Sequence, residues 1–201
     1  MDSSDAIAAL RRAPDRVGGA SSDFDLNPGT VLPEGRKLRP AGVLVAFRDT
    51  GAGLDLILTK RSSRLKHHPG QIAFPGGKQD SGDADVVACA LREAREEIAL
   101  DPGSVEVLGQ LPAHETVTGF TVTPVLALVH GPFRPRAEPG EVDEIFSVPF
   151  HHAMDSSRFR IEGRRWRGVR RLYYAVPYGP YYIWGATARI LRGLADRVAG
   201  P

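Results

Sequence analysis

The sequence is poor in cysteine and in long apolar runs. Cys89 is the only cysteine among 201 residues, which excludes an internal disulfide framework. No stretch approaches the roughly 18–20 consecutive apolar residues of a membrane-spanning helix. The polar, acidic start Met1-Asp2-Ser3-Ser4-Asp5 lacks the basic region that precedes the apolar run of a secretory signal. We therefore expect a cytoplasmic protein with no membrane partner.

An excess of charge of one sign is also missing. Lys and Arg number 26 and Asp and Glu number 24, for a net charge of +2. This balance excludes a polybasic arm or an acidic tail as the main feature of the chain. The densest basic run, Arg164-Arg165-Trp166-Arg167 with Arg170-Arg171, is compatible with attraction of an anionic substrate or of nucleic acid. The near-neutral total favours a protein without a nucleic-acid partner.

The pattern of apolar residues predicts more strands than helices. A helix is predicted over 84–98, where Val87, Ala90, Leu91, Ala94 and Ile98 recur at helical spacing. Other helices are predicted at 3–13 and 185–198, and strands at 42–47, 54–59, 71–75, 105–111, 121–130, 144–149, 158–162 and 171–176. Ser3 or Ser4 is expected to cap the first helix and Asp83 the second. Because strands and helices do not alternate one for one, we expect an α/β (α+β) fold with a mixed sheet.

Three glutamates mark one face of the helix predicted over 84–98. Glu93, Glu96 and Glu97 are three and four residues apart, which places them within about 100° of one another around a helix. Like charges this close repel, and a divalent cation with oxygen ligands removes that penalty. Without a ligand, the same pattern is a solvated face on which Arg92 and Arg95 pair with the glutamates. A preceding Phe74-Pro75-Gly76-Gly77 stretch is predicted to be a tight turn close to bound phosphate.

Residues 77–100 resemble the signature of the Nudix hydrolases, G-x5-E-x7-R-E-U-x-E-E-x-G-U with U aliphatic. Gly77 matches the first glycine, Arg92-Glu93 the R-E pair and Glu96-Glu97 the E-E pair. The match departs from the signature at four points. One extra residue separates Gly77 from Arg92, Asp83 or Asp85 must replace the mid-signature glutamate, Ala94 holds the site of a larger aliphatic residue, and Ala99 replaces the closing glycine.

A second block is similar to the extra signature of the coenzyme A pyrophosphatase branch, L-L-T-x-R-[SA]-x3-R-x3-G-x3-F-P-G-G. It runs from Ile57 through Arg61-Ser62, Lys66 and Gly70 to Phe74-Pro-Gly-Gly77 with its spacing kept. Ile57 stands at the first leucine and Lys66 at the internal arginine. Lysine keeps the charge of arginine but loses its bidentate geometry toward phosphate.

These resemblances imply a Nudix-like α/β/α sandwich over residues 37–201, after an N-terminal helix and irregular lead-in over 1–36. They imply hydrolysis of the pyrophosphate bond of coenzyme A and its derivatives, giving 4′-phosphopantetheine and adenosine 3′,5′-bisphosphate, with Mg²⁺ or Mn²⁺ as cofactor. The implied metal ligands are Glu93, Glu96 and Glu97, the catalytic candidates are Glu96, Glu97 and Glu141, and the substrate-binding candidates are Arg61, Arg64, Lys66, Gly76 and Gly77.

Two other functions remain open from the sequence. A Nudix hydrolase can act on a different nucleoside diphosphate-linked compound, or the scaffold can serve as a non-catalytic ligand sensor. A sensor is disfavoured because all three glutamates are present. In each case the expected partner is a small molecule, and a homodimer is left open.

Overall fold

The computed structural model describes residues 2–166 and 168–200. Its helices are α1 (Ser3–Arg12), α2 (Val86–Ile98), α3 (Phe150–Ala153) and α4 (Gly185–Ala199), with 3-10 turns at Pro102–Ser104 and Ser156–Arg158. Its strands are β1 (Ser21–Ser22), β2 (Arg39–Asp49), β3 (Leu54–Arg61), β4 (Ile72–Ala73), β5 (Gly76–Lys78), β6 (Val105–Gln110), β7 (His114–Glu115), β8 (Phe120–Val129), β9 (Val142–Pro149), β10 (Arg160–Trp166) and β11 (Val169–Ala175).

Within the described ranges, nine strands form one mixed sheet and β10 and β11 form a separate hairpin. The order across the main sheet is β1-β7-β8-β2-β3-β4, with β5 paired to β2, β6 to β8 and β9 to β3. The central strands β2 and β8 run parallel, whereas β3 is antiparallel to both β2 and β9. The predicted mixed sheet is confirmed, and β2 and β3 form an antiparallel hairpin within it.

Helices cover both faces of the sheet. Alternating residues of β2 divide between the two faces, since Leu44 and Ala46 pack with α2 whereas Val45 and Phe47 pack with α1 and α4. The inner face of α2 contributes Ala90, Ala94 and Ile98, which are completely or almost completely buried. This arrangement is an α/β sandwich with the sheet in the middle layer.

The N-terminal ends of α1 and α2 differ from the sequence prediction. Asp2, rather than Ser3 or Ser4, accepts the backbone N–H of Asp5 and caps α1. At α2 the cap is Asp85, whose carboxylate accepts the N–H of Ala88 at 2.8 Å. The predicted cap, Asp83, is therefore wrong, because its carboxylate is engaged elsewhere.

The basic run lies on the hairpin of β10 and β11, apart from the main sheet. Arg164 is opposite Arg171 and Arg165 is opposite Arg170 across the two strands, while Arg167 lies outside the described residues. Across the part of the chain that the structure describes, no helix combines the length and apolar character needed to cross a bilayer.

Candidate active site

Three carboxylates from two separate elements meet at one edge of α2. Glu93 and Glu97 lie on consecutive turns of α2, and Glu141 lies in the loop just before β9. One oxygen from each of them lies within 4.8 Å of those of the other two. Glu97 is buried with 4% of its surface exposed, Glu93 is partly buried and Glu141 is exposed. We refer to Glu93, Glu97 and Glu141 as the carboxylate trio.

Close packing of α2 on β2 places the trio beside the sheet. A Cβ atom on Gly42 of β2 would lie 2.4 Å from the carbonyl oxygen of Val86 and 3.1 Å from the backbone nitrogen of Ala90. Only glycine allows the helix to approach the strand this closely. β2 also pairs with β5, and β5 contacts α2 directly.

Gly76 and Gly77 of β5 present bare backbone to the carboxylates of α2. The N–H of Gly76 donates to Oε2 of Glu97 at 3.1 Å. A Cβ atom on Gly77 would lie 2.6 Å from the carboxylate of Glu93. The prediction of a tight turn here is wrong, since both glycines belong to β5 and pair with Gly42 and Val43 of β2. The observed contacts give both glycines a role in holding the carboxylates, and phosphate binding by them stays a prediction.

Glu141 is held in place by backbone hydrogen bonds on both sides. The N–H of Glu138 donates to the carbonyl oxygen of Glu97 at 2.9 Å, which ties the loop to the C-terminal turn of α2. The N–H of Ser62 donates to the carbonyl oxygen of Glu141 at 2.8 Å, which ties the same loop to the end of β3. Sequence reasoning missed Glu138 and Ser62, because a backbone contact leaves no residue-type signal.

Glu96 is directed away from the trio. Its side chain is 56% exposed, and Oε2 accepts a hydrogen bond from Nη1 of Arg92 at 3.0 Å. The same Nη1 donates to Oε1 of Glu93 at 2.9 Å. The structure thus brings Glu93 and Glu97 together as the sequence suggested, and places Glu141 rather than Glu96 as the third carboxylate beside them.

Asp83 anchors Arg92. Its side chain is only 5% exposed and accepts two parallel hydrogen bonds, from Nε of Arg92 at 2.8 Å and from Nη2 at 2.9 Å. This bidentate pairing, together with the N–H of Asp80, lowers the pKa of Asp83 to about 2. Of the two aspartates predicted to replace the mid-signature glutamate, Asp83 contacts the arginine and Asp85 caps the helix.

Burial raises the pKa of Glu97 to about 7, although the N–H of Gly76 and the charge of Arg61 act in the opposite direction. Burial also raises the pKa of Glu93, against the hydrogen bond from Arg92. The neighbouring carboxylates disfavour ionisation of both groups further. A site with two partly desolvated carboxylates and a third beside them fits a hard divalent cation with oxygen ligands, such as Mg²⁺ or Mn²⁺.

The predicted substrate-binding cations lie at the end of β3 and on the loop that follows it. Arg61, at the end of β3, is near enough to Glu97 to lower its pKa, and Nε of Arg61 is buried without a hydrogen-bond partner among the described residues. Arg64 and Lys66 follow on the next loop and are exposed. Their positions are compatible with contacts to an anionic substrate, which stays a prediction.

Comparison with known proteins identifies the family to which the chain belongs. A family model described as NUDIX domain matches residues 37–172. The chain belongs to the Nudix family. Nudix hydrolases act on nucleoside diphosphate-linked substrates and generally use divalent ions such as Mg²⁺ or Mn²⁺, in agreement with the oxygen-rich trio.

Similar Nudix proteins extend the match beyond the signature. An uncharacterized Nudix hydrolase named NudL from Citrobacter koseri is 42% identical over 178 residues, which cover 88% of this chain and 92% of the relative. A NudL from Enterobacter sp. strain 638 is 44% identical over 143 residues, covering 71% and 74%. The crystal structure of a MutT/nudix family protein from Enterococcus faecalis superposes with a TM-score of 0.51 at 17% identity, covering 86% of this chain and 66% of that one. The structural likeness supports the Nudix fold.

Proposed function

We propose that this Nudix hydrolase cleaves the pyrophosphate bond of coenzyme A and its derivatives, releasing 4′-phosphopantetheine and adenosine 3′,5′-bisphosphate. One observation carries the proposal. The block from Ile57 to Gly77, which resembles the coenzyme A branch, approaches the carboxylate trio at two places, near its start and at its end. Arg61 acts on Glu97 from one end, and Gly76 and Gly77 contact Glu97 and Glu93 from the other.

The trio would hold the divalent cation, with Glu93 and Glu97 as the leading ligands. When bound, such a cation polarises phosphoryl oxygens and lowers the pKa of a coordinated water. Arg61 would neutralise charge on the diphosphate, and Arg92 fixes Glu93 through its hydrogen bond. These contacts position the scissile linkage and its charges before any bond changes.

Hydrolysis forms a bond between the water oxygen and one phosphorus and breaks the bond from that phosphorus to the bridging oxygen. The proton of the water passes to a carboxylate. Glu141 is suited to accept it because its side chain is exposed beside the two helix glutamates. Glu97 is the alternative acceptor, since its carboxylate lies in the same trio. Glu96 is the third candidate from the signature, but its carboxylate is held by Arg92.

A substrate panel tests the proposal. Purified protein with Mg²⁺ or Mn²⁺ is incubated with coenzyme A, NADH, ADP-ribose and 8-oxo-dGTP, and products are separated by chromatography. We expect the highest kcat/KM for coenzyme A, with both predicted products in equal amounts. Preference for ADP-ribose would reject the substrate assignment, and binding of coenzyme A without turnover would favour the ligand-sensor function.

Lys66 provides a sharper test of substrate choice. If its ammonium group contacts the 3′-phosphate, Lys66→Ala should raise KM for coenzyme A by about tenfold and leave KM for dephospho-coenzyme A nearly unchanged. Lys37→Ala is the matched control, since Lys37 is also exposed but lies just before β2, outside the block from Ile57 to Gly77. Equal effects on both substrates would reject a contact between Lys66 and the 3′-phosphate.

A further inference from the structure

The pairing of β3 with β9 breaks near the carboxylate trio. Lys60 is opposite Glu144 and Arg61 is opposite Val142, so Asp143 has no residue opposite it. Asp143 is therefore the extra residue of a β-bulge. Bulges bend a strand and redirect side chains, and they are common beside active sites. This one lies two residues after Glu141 and directly opposite the end of β3.

Asp143 uses its side chain to bind the chain that follows β3. Its Oδ2 accepts the backbone N–H of Ser63 at 2.8 Å. The preceding N–H, that of Ser62, donates to the carbonyl oxygen of Glu141 at 2.8 Å, and the side chain of Ser62 is fully buried. Two consecutive N–H groups of one segment are thus bound by the segment that carries Glu141.

The segment bound in this way is the basic loop, which we define as residues 62–70. It is closed at its base, where the N–H of Gly70 donates to the carbonyl oxygen of Arg61 at 3.1 Å and the N–H of Arg61 donates to that of Gln71 at 2.9 Å. Arg64 and Lys66 are exposed on the loop. The contact to Asp143 fixes the start of the loop immediately before these two cations.

We propose that Asp143 is a positioning residue, which holds the basic loop beside Glu141 so that the loop cations are preorganised for the phosphates of the substrate. The proposal rests on the proposed function for the identity of those phosphates. Asp143 acts through Ser63 and touches neither substrate nor cation. Because Glu141 is also held by Ser62 and, through its loop, by Glu138, loss of the Asp143 contact should impair substrate binding more than chemistry.

Three variants test this assignment. Asp143→Ala removes the acceptor, Asp143→Asn keeps an oxygen acceptor, and Asp49→Ala is the matched control. Asp49 makes an equivalent contact, accepting the N–H of Gly51 at 2.8 Å, in the hairpin turn at the far end of β3. We expect Asp143→Ala to raise KM for coenzyme A by about tenfold with kcat changed by less than about threefold. Asp143→Asn should restore KM to within about threefold of the wild-type value, and Asp49→Ala should leave it unchanged.

Two further measurements separate this proposal from the proposed function. Hydrogen exchange of a peptide covering residues 62–70 should accelerate in Asp143→Ala, and Mn²⁺ affinity measured without substrate should stay at the wild-type value. A wild-type KM in Asp143→Ala, or equal KM values in the Ala and Asn variants, would overturn the positioning role. If the wild-type enzyme turns over no member of the substrate panel, the proposed function fails. The role of Asp143 is then tested by calorimetry, which compares the binding of adenosine 3′,5′-bisphosphate to the wild type and to Asp143→Ala. Weaker binding by the variant, together with faster exchange of its basic loop, supports the role of Asp143, and unchanged binding rejects it.

Discussion

Replacing Glu97 by glutamine should stabilise the metal-free protein and at the same time abolish turnover. Glu97 is only 4% exposed, and burial raises its pKa from 4.5 to about 7. Such a change in pKa corresponds to about 3 kcal/mol between the charged and neutral forms. Glutamine is neutral and retains an oxygen that can accept the N–H of Gly76, so the substitution removes the cost of the buried charge and keeps the contact.

The direction of the pH dependence follows from proton binding. As the pH falls, folded Glu97 takes up a proton near pH 7, whereas the unfolded chain does so only near 4.5. Between these values the folded state binds more protons, so the free energy of unfolding contributed by Glu97 decreases as the pH rises. The stability advantage of Glu97→Gln should be near zero at about pH 4.5, and it should grow to about 3 kcal/mol at about pH 8.

Urea denaturation in the presence of a chelator, repeated across this pH range, measures the difference. Glu96→Gln is the matched control, because its side chain is 56% exposed and removing its charge should give no comparable gain at high pH. Adding Mn²⁺ should reverse the order of stability, since only the wild-type protein keeps its full ligand set. Turnover of Glu97→Gln should fall by more than about 100-fold. A variant that is less stable than wild type at high pH without metal would refute the reasoning.

Three other predictions test separate parts of the structure. Gly77→Ala should weaken Mn²⁺ binding at least about tenfold in calorimetry, because the new Cβ would lie 2.6 Å from the Glu93 carboxylate. Gly82→Ala is the control, since its added atom meets open space. Equal Mn²⁺ affinities of the two variants would argue against a role of Gly77 in placing Glu93. Asp83→Ala should lower kcat about tenfold because it releases Arg92, whereas Asp85→Ala should lower the free energy of unfolding by about 1 kcal/mol and leave kcat unchanged. Kinetics and urea denaturation measure the two effects. A loss of kcat in Asp85→Ala, with a loss of stability alone in Asp83→Ala, would contradict the roles given to the two aspartates. Ala99→Gly should raise the free energy of unfolding by about 1 kcal/mol, because Ala99 ends α2 with φ of 57°, a left-handed conformation that strains an alanine. A lower melting temperature of the variant would disprove this strain.

The spacing of apolar residues along the sequence predicted the helices and strands well, because burial of one face of each element imposes that spacing. The helix predicted over 84–98 is observed as Val86–Ile98, and the strand predicted over 121–130 is observed as Phe120–Val129. The predictions failed where the outcome depends on distant backbone. Gly76 and Gly77 carry the sequence signal of a turn, yet pairing with β2 draws them into the sheet. Local sequence contains no information about that partner.

The candidate site was predictable only in part for a related reason. Helical spacing places Glu93, Glu96 and Glu97 on one arc, and it cannot distinguish which of them face the sheet. The packing of α2 makes the choice: Glu97 and Glu93 lie against Gly76 and Gly77 of β5, whereas Glu96 stays exposed beside Arg92. The third carboxylate, from Glu141, lies more than forty residues further along the chain and is delivered by the loop before β9. The sequence suggested Glu141 as a later-loop candidate, and the hydrogen bonds from Glu138 and Ser62 explain how it reaches the trio.

The central claim is that Glu93, Glu97 and Glu141 together bind a divalent cation. Anomalous diffraction from crystals of this protein soaked in manganese tests it most directly. The expected result is a manganese peak between the three carboxylates, within coordination distance of oxygens of Glu93 and Glu97. A peak beside Glu96 alone, or no peak in the presence of saturating manganese, would contradict the account.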